Sequence, residues 1–459
     1  MQKLNKQIFI AIIALVLLPM GAMAQTLTSS INTYSPYSMY GLGELATPGN
    51  VAMRSMGGVG VAMWSGGMVN ILNPAGYGAT PRQSFLFNFG IEGAHYQNSQ
   101  QKYTSGANGK SKTAYNSINI HDIAFQMPIA KGLGFGFSLT PYSNVGYTMY
   151  RDDVSPEIAG NLGRVRYQYY GEGDVTEVKA GFGWAPSKRF SIGAAMLYYW
   201  GNIERNYKSV PMDVVTGSGE FSTTTGVDTY DVSRIKAQFG LMVNPIYTSQ
   251  RILTLGATYD IGGSLKPKMV KSVYVDNVLT SVVRDEKDNA LPLKLPMQVA
   301  AGIFYQDSRF RAGVDYVYQS WGSDNTDYLE SYGRGVNVGY ADVNTVKAGF
   351  EIIPKYSDVR KYFNRVAYRV GARYGGYYHT FAGSPVRQLA LTAGVGLPIK
   401  LFGRSSIDVG FEYGVRKAEN DFVMINNAKV GTVKQEHFKL SIGMTMFGED
   451  KWFYRFKFN

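Results

Sequence analysis

Residues Ser406–Arg416, SIDVGFEYGVR, decide how this chain is read. Ile407, Val409, Phe411, Tyr413 and Val415 alternate with Ser406, Asp408, Gly410, Glu412, Gly414 and Arg416. Side chains in a β-strand point to opposite faces in turn, so this run has one fully apolar face and one of small and charged residues. A wall with hydrocarbon on one side and a polar lumen on the other needs that pattern. It recurs upstream and downstream. Phe438, Leu440, Ile442, Met444 and Met446 alternate with His437, Lys439, Ser441, Gly443 and Thr445. Val366, Tyr368, Val370, Ala372 and Tyr374 oppose Arg365, Ala367, Arg369, Gly371 and Arg373. Phe85, Phe87, Phe89 and Ile91 share a face opposite Ser84, Asn88, Gly90 and Glu92, with Leu86 the exception.

Composition agrees with one large β-domain. Of 459 residues 14% are aromatic, with 53 Gly and 34 Tyr, while the mean hydropathy is slightly negative. Short connections near Lys131-Gly132, Pro186 to Lys188, Thr248 to Gln250, Gln306 to Ser308 and Gly403-Arg404, with a longer one at Pro354 to Asn364, read as periplasmic turns. Long polar connections near Ser99 to Thr113, Arg151 to Arg164, Lys208 to Asp228, Pro267 to Pro292, Gly322 to Asp342, His379 to Arg387 and Ala418 to Val433 read as extracellular loops. Six turns alternating with seven loops join about fourteen strands, an even number with both ends periplasmic, as a bacterial single-chain barrel requires. Lys271 to Glu286 itself has a hairpin pattern; it extends its flanking strands above the membrane, or, if it inserts, makes the count sixteen.

The expected fold is therefore all-β, a 14-stranded antiparallel transmembrane β-barrel over residues 83–447 in the bacterial outer membrane. Residues 1–24 have a basic start at Lys3 and Lys6, an apolar run from Ile8 to Leu18 and Ala22-Met23-Ala24 before Gln25, which reads as a signal peptide; an uncleaved anchor is the alternative. The aromatic and basic tail 448–459, with Trp452 to Phe456, suits the inner membrane interface or is itself the last strand. Having no Cys, the chain makes no disulfide and carries no lipidated cysteine.

Ser55 to Thr80, SMGGVGVAMWSGGMVNILNPAGYGAT, lies before the first strand, too rich in Gly for a stable helix and too apolar for a solvated tail. A fourteen-stranded barrel has a lumen to fill, so residues 25–82 are expected to form a hatch inside it. Asn73-Pro74-Ala75-Gly76, at the end of this segment with the strands behind it, resembles the hatch signature of the long-chain fatty acid transporter (FadL-like) outer-membrane barrels. That family resemblance extends to shuttle barrels of type IX secretion. An Asx-Pro turn that starts the barrel is the plainer alternative for Asn73-Pro74.

The resemblance implies a barrel that takes hydrophobic molecules such as fatty acids into a lumen pocket and releases them sideways through a gap at a kink in the third strand. Met56, Val59, Met63, Trp64, Met68, Leu72, Asn73, Pro74 and Tyr77 are then the candidate ligand residues, or else simply pack the hatch to the wall. Pro141, Tyr142, Ser143 and Asn144 mark the candidate opening, because Pro cannot donate to the ladder; a simple bulge is the other reading.

Inward charges on two strands, Arg365, Arg369, Arg373, Asp408, Glu412 and Arg416, form a candidate lumen network that binds a carboxylate or pairs internally to hold the hatch. Lys179 and Asp315 are expected to point inward too. The net charge of +12 is spread along the chain, which suits outer-membrane lipid and not nucleic acid. The four His are scattered without metal-ligand spacing, and no phosphate loop or nucleophile elbow occurs, so neither enzyme activity nor a cofactor is expected. Two functions stand: passive transport of hydrophobic compounds, or an accessory barrel in a larger outer-membrane complex for secretion or barrel assembly. Transport is the first reading; Ser35-Pro36-Tyr37-Ser38 and Tyr40-Gly41-Leu42-Gly43 depart from a plain transporter and raise the second.

Overall fold

The computed structural model describes residues 35–82, 84–104, 107–153, 165–211, 222–265, 268–285, 293–326, 330–332, 336–399, 405–425 and 428–449. The expected signal peptide, residues 1–24, and the tail from residue 450 on lie outside them. Fourteen wall strands follow one another: β1 (Ser84–Thr104), β2 (Ala107–Ala130), β3 (Leu133–Asp153), β4 (Val165–Ser187), β5 (Phe190–Pro211), β6 (Thr224–Tyr247) and β7 (Arg251–Asp260). Then come β8 (Gln298–Asp307), β9 (Phe310–Gln319), β10 (Val343–Ile352), β11 (Ala367–Phe381), β12 (Ser384–Ile399), β13 (Ser405–Ala418) and β14 (Val433–Glu449). Each pairs antiparallel with the next, and β14 returns to β1 from Gln100↔Val433 to Ser84↔Glu449, closing the barrel.

Alternation decides which way each strand faces. Phe411 is 57% exposed and Val370 55%, while Asp408 and Glu412 between the apolar positions are buried. Leu86 breaks the alternation because its inward face meets apolar plug residues, Val69 and Ile71, together with Ala124 of β2.

The hairpin Lys268–Val275/Val278–Asp285 does not insert. It pairs with the outer half of β6, from Lys268↔Asp231 to Val275↔Thr224, and β7 pairs directly with β8. Ser99 to Thr113, expected as a loop, is mostly ladder, since β1 and β2 stay paired up to Thr104↔Ala107. Above the bilayer water covers both faces of a strand, so apolar alternation fades where hydrogen bonding does not.

At the opposite end the described turns are short, such as residues 131–132 and 188–189, except that between β10 and β11. This one is built. Lys355 N–H donates to Asn364 O at 2.7 Å, and a 3-10 turn spans Tyr362–Arg365. The Asp358 carboxylate accepts from Lys361 N (3.0 Å), Asn364 Nδ2 (2.6 Å) and Arg360 N (2.9 Å). The Lys361 amide, then the Asn364 side chain and the Arg360 amide, pull that carboxyl down to about 2.

Two outcomes are expected. Phe411→Arg, which puts a cation into hydrocarbon, lowers unfolding stability by about 2–4 kcal/mol in lipid vesicles. Because the folded pKa of Asp358 is depressed, its contribution is present above the unfolded value of about 3.9 and is lost as pH falls through about 2. The amide resonances of Arg360 and Lys361 should therefore titrate near the lower value; movement between pH 5 and 7 would contradict this.

Candidate functional site

The described part of the Gly-rich leader, the plug, is bonded to buried side chains of several wall strands, among them Thr392, Asp315, Lys179 and Ser191. Asn50 caps the short helix Val51–Arg54, its side chain accepting from Met53 N at 3.0 Å, and Asn73 caps the 3-10 helix Pro74–Ala79, accepting from Ala75 N at 3.0 Å. Met56, Val59, Met63 and Met68 are buried in one cluster with Met53 and Phe304 of β8, and the half-buried Leu72 packs against it. Trp64 sits in a second cluster with Ala75 and Met242, and Tyr77 is buried. These side chains pack the plug to itself and to the wall. Asn73 also donates to Val61 O at 2.8 Å. Asn70 organises the same turn, donating to Gly60 O and Met63 O (both 3.0 Å) and accepting from Leu72 N and Asn73 N. Nothing in its sequence context singled out Asn70.

The wall is shaped to receive this backbone. A Cβ on Gly349 would lie 2.2 Å from Met56 O, and one on Gly371 2.2 Å from Gly57 N, so no other residue lets the plug come this close. Polar wall side chains bind plug main chain. Asp315 accepts from Gly60 N (2.7 Å) and Val61 N (2.9 Å), Lys179 donates to Ile71 O (2.7 Å), and Ser191 to Ala75 O (2.7 Å).

The inward charges are paired. Arg369 bridges Glu351 (2.6 Å) and Asp408; Arg373 meets Glu412, which also contacts His437 Nε2 at 3.0 Å. Arg416 reaches Glu44 of the plug at 3.3 Å and lies 4.2 Å over the Tyr377 ring. Arg54 of the plug pairs with Glu92, which Lys439 approaches at 3.2 Å. Arg365 does not join them. It falls in the 3-10 turn before β11, where the strand alternation has not begun, and stacks on Tyr362 at 5.4 Å. For the same reason Val366 is buried instead of facing outward.

The β2–β3 ladder ends just before Pro141. β2 and β3 pair from Ala130↔Leu133 to Ile123↔Leu139, and no further β2–β3 pair occurs among the described residues. Two residues on in the same register Pro141, which has no N–H, would face His121. His121 is itself the extra residue of a bulge against β1, and Tyr142 that of a bulge against β4.

The plug fills the opening. Glu44 and Leu45 pair with Asn144 and Ser143, and Ala46 N–H donates to Tyr142 O at 2.9 Å. Ser35 N–H donates to Gly146 O at 2.9 Å, and the Gly146 amide to Ser38 Oγ at 3.1 Å. His121 Nε2 lies 3.1 Å from Thr47 O on the other bank. What is left is a cavity of about 30 Å³ bordered by Glu44, Arg54, Glu92, His121 and Lys439, room for about one water.

Above the gap the segment Ser35–Gly43 is gripped by aromatic residues. The β11–β12 ladder shifts register between Gly376 and Thr380, and Tyr377, Tyr378 and His379 are consecutively buried. The Tyr378 hydroxyl donates to Gly43 O and that of Tyr37 to Val433 O, while Arg205 donates to Gly41 O. Gly41 has φ +58°, and a Cβ there would lie 2.9 Å from His379 Nε2 and the Tyr340 hydroxyl. Among the described residues no group of three or more His, Asp or Glu is gathered to hold a metal ion.

Comparison with known proteins adds the following. The BamG family model matches residues 4–459. No curated protein sequence matches the chain. Among solved structures, a Pseudomonas aeruginosa FadL homologue superposes with a TM-score of 0.58 at 12% identity, covering 88% of this chain and 99% of that one. The Ralstonia pickettii toluene transporter TbuX gives 0.54 at 16% identity, covering 87% and 98%. The Pseudomonas putida toluene transporter TodX gives 0.52 at 14%, covering 88% and 98%. At such identities the likeness is one of fold, that of a FadL-like outer-membrane barrel.

Asp315→Ala strands two buried plug amides and should lower unfolding stability by about 2–5 kcal/mol, with a smaller loss for Asp315→Asn, which keeps one acceptor. Denaturant titration in micelles measures both; equal effects would show that the carboxylate does not hold Gly60 and Val61.

Proposed function

The chain belongs to the BamG family, and on that footing we propose that it is an accessory barrel of a larger outer-membrane protein assembly, of the barrel-assembly or secretion kind, and not a conduit. What supports this reading most is the treatment of the wall gap. The position where a FadL-like barrel would release a ligand is occupied by main-chain pairing of Glu44 to Ala46 with β3, backed by the buried Glu44–Arg416 and Arg54–Glu92 pairs. Breaking a buried pair costs about 3–5 kcal/mol, because it leaves a charge behind. Such a seal suits a part that keeps one shape while others work around it. The short-turn end and both chain ends face the periplasm in this reading.

A second reading, passive uptake of fatty-acid-like or other hydrophobic compounds, is favoured by one observation: the β2–β3 ladder ends at Leu139 and β3 bulges at Tyr142, beside the expected opening at Pro141 to Asn144. In that reading Gly43–Thr47 swings away from β3 and Met56, Met63 and Met68 adapt to an apolar guest. Outer-membrane lipid surrounds the barrel in either case.

The absence of cysteine makes the two separable. Leu45 and Ser143 are register partners beside the Ala46–Tyr142 bond, so they form the closer, non-hydrogen-bonded kind of pair. Leu45→Cys/Ser143→Cys should oxidise readily and, locked, should leave growth and copurifying proteins unchanged. Uptake of a labelled fatty acid or of toluene that stops on oxidation and returns on reduction would overturn the assembly reading.

A further inference from the structure

The turn between β10 and β11 is longer than the described turns beside it and carries exposed apolar side chains. Val359 at its tip is 89% exposed and Phe363 65%. Beside them Lys355, Arg360, Lys361 and Arg309 of the adjacent turn are exposed, Arg309 O accepting from Ile353 N at 2.8 Å. The two local acids are turned to donors within their own turns: Asp358 to Arg360 N, Lys361 N and Asn364 Nδ2, and Asp307 to Arg309 N and Phe310 N, both at 2.7 Å, and to the Tyr305 hydroxyl at 3.3 Å. Tyr362 ties the turn to the base of the wall through Pro398 O at 3.3 Å. A rigid apolar tip ringed by cations loses little entropy on binding, and its charge selects an acidic counterpart.

Lipid is the other negative surface within reach, and distance argues against it. The lipid-facing run of β10 passes through Val346, Ala348 and Phe350 and ends at Ile352. The Lys355–Asn364 pairing stands three residues beyond, about 10 Å of extended chain at ~3.3 Å per residue and about 7–8 Å along the membrane normal for a strand tilted ~40°, and Val359 lies four residues further along the turn. The headgroup layer is only about 5–8 Å deep on each side.

We infer that Pro354–Arg365 is a docking knob for an acidic protein surface on the periplasmic side, Val359 and Phe363 entering an apolar hollow and Lys355, Arg360 and Lys361 meeting carboxylates. This rests on the assembly reading and names the face and chemistry of the contact.

The test uses the full chain in native membranes, with a photo-crosslinking amino acid at position 359, and maps the crosslinked peptide by mass spectrometry. The expected product is one protein peptide rich in Asp and Glu, its yield reduced at least about tenfold by raised salt or by Arg360→Glu/Lys361→Glu. Crosslinks to phospholipid, to a neutral or basic peptide, or with no dependence on charge would overturn the knob while leaving the assembly reading intact, provided stoichiometric partners still copurify. If no protein copurifies with the unmodified chain, the assembly reading falls and the knob with it. Gel mobility of the folded barrel confirms that the charge variant inserts. Asp358→Ala, which dismantles the turn without changing its cations, should also cut the crosslink; an unchanged yield would show that the ordered shape does not matter.

Discussion

A β-strand in a bilayer cannot leave its edge bare, because nothing in hydrocarbon will bond its amides and carbonyls. Pro141 and the bulges at His121 and Tyr142 separate β3 from β2, and this chain answers with its own leader, bonded to Tyr142 and Gly146 and paired with Ser143 and Asn144. The rest of the lumen is arranged around that requirement. Gly43 must approach Asn144 so closely that a Cβ would lie 2.4 Å from its carbonyl oxygen, and its φ of +91° turns the chain into place. Glu44, once there, needs Arg416, and Arg416 is in turn covered by Tyr377.

Plug and wall are therefore one packed body. Glycine on the wall lets main chain meet main chain, methionine fills the irregular space inside the leader, and each lumen carboxylate discussed here has a cation or a plug amide against it. Substituting any one of these positions is felt on both sides of the interface.

Much of this could be read from the residues alone, for reasons that also explain the misreadings. The strands were legible where hydrocarbon and plug impose opposite demands on alternate residues, as from Ile407 to Arg416. Pro141 stands two residues past the last β2–β3 pair, and its missing amide is a covalent fact visible in any sequence. Arg365 was misread because the alternating pattern begins before the strand does, and Ser99 to Thr113 because water on both faces removes the pattern while the ladder persists. His121 and the Tyr377 to His379 cluster were not legible, since each matters through a neighbour more than fifty positions away or through a bulge that no spacing announces, and Asn70 was not, because its bonds to Gly60, Met63, Leu72 and Asn73 depend on how the loop folds back on itself. The plug's Met residues were visible as a group; that they pack against one another and Phe304 depends on the path of the backbone.

The leader is synthesised before any wall strand, yet it ends up enclosed by all of them, bonded to β3, β4, β5, β9 and β13. Threading it through a finished cylinder would mean dragging Arg54 and Glu44 past greasy neighbours. Closing the cylinder at the β1–β14 seam around a leader already in place avoids that passage, and the leader then serves as the mandrel on which the cylinder is wound.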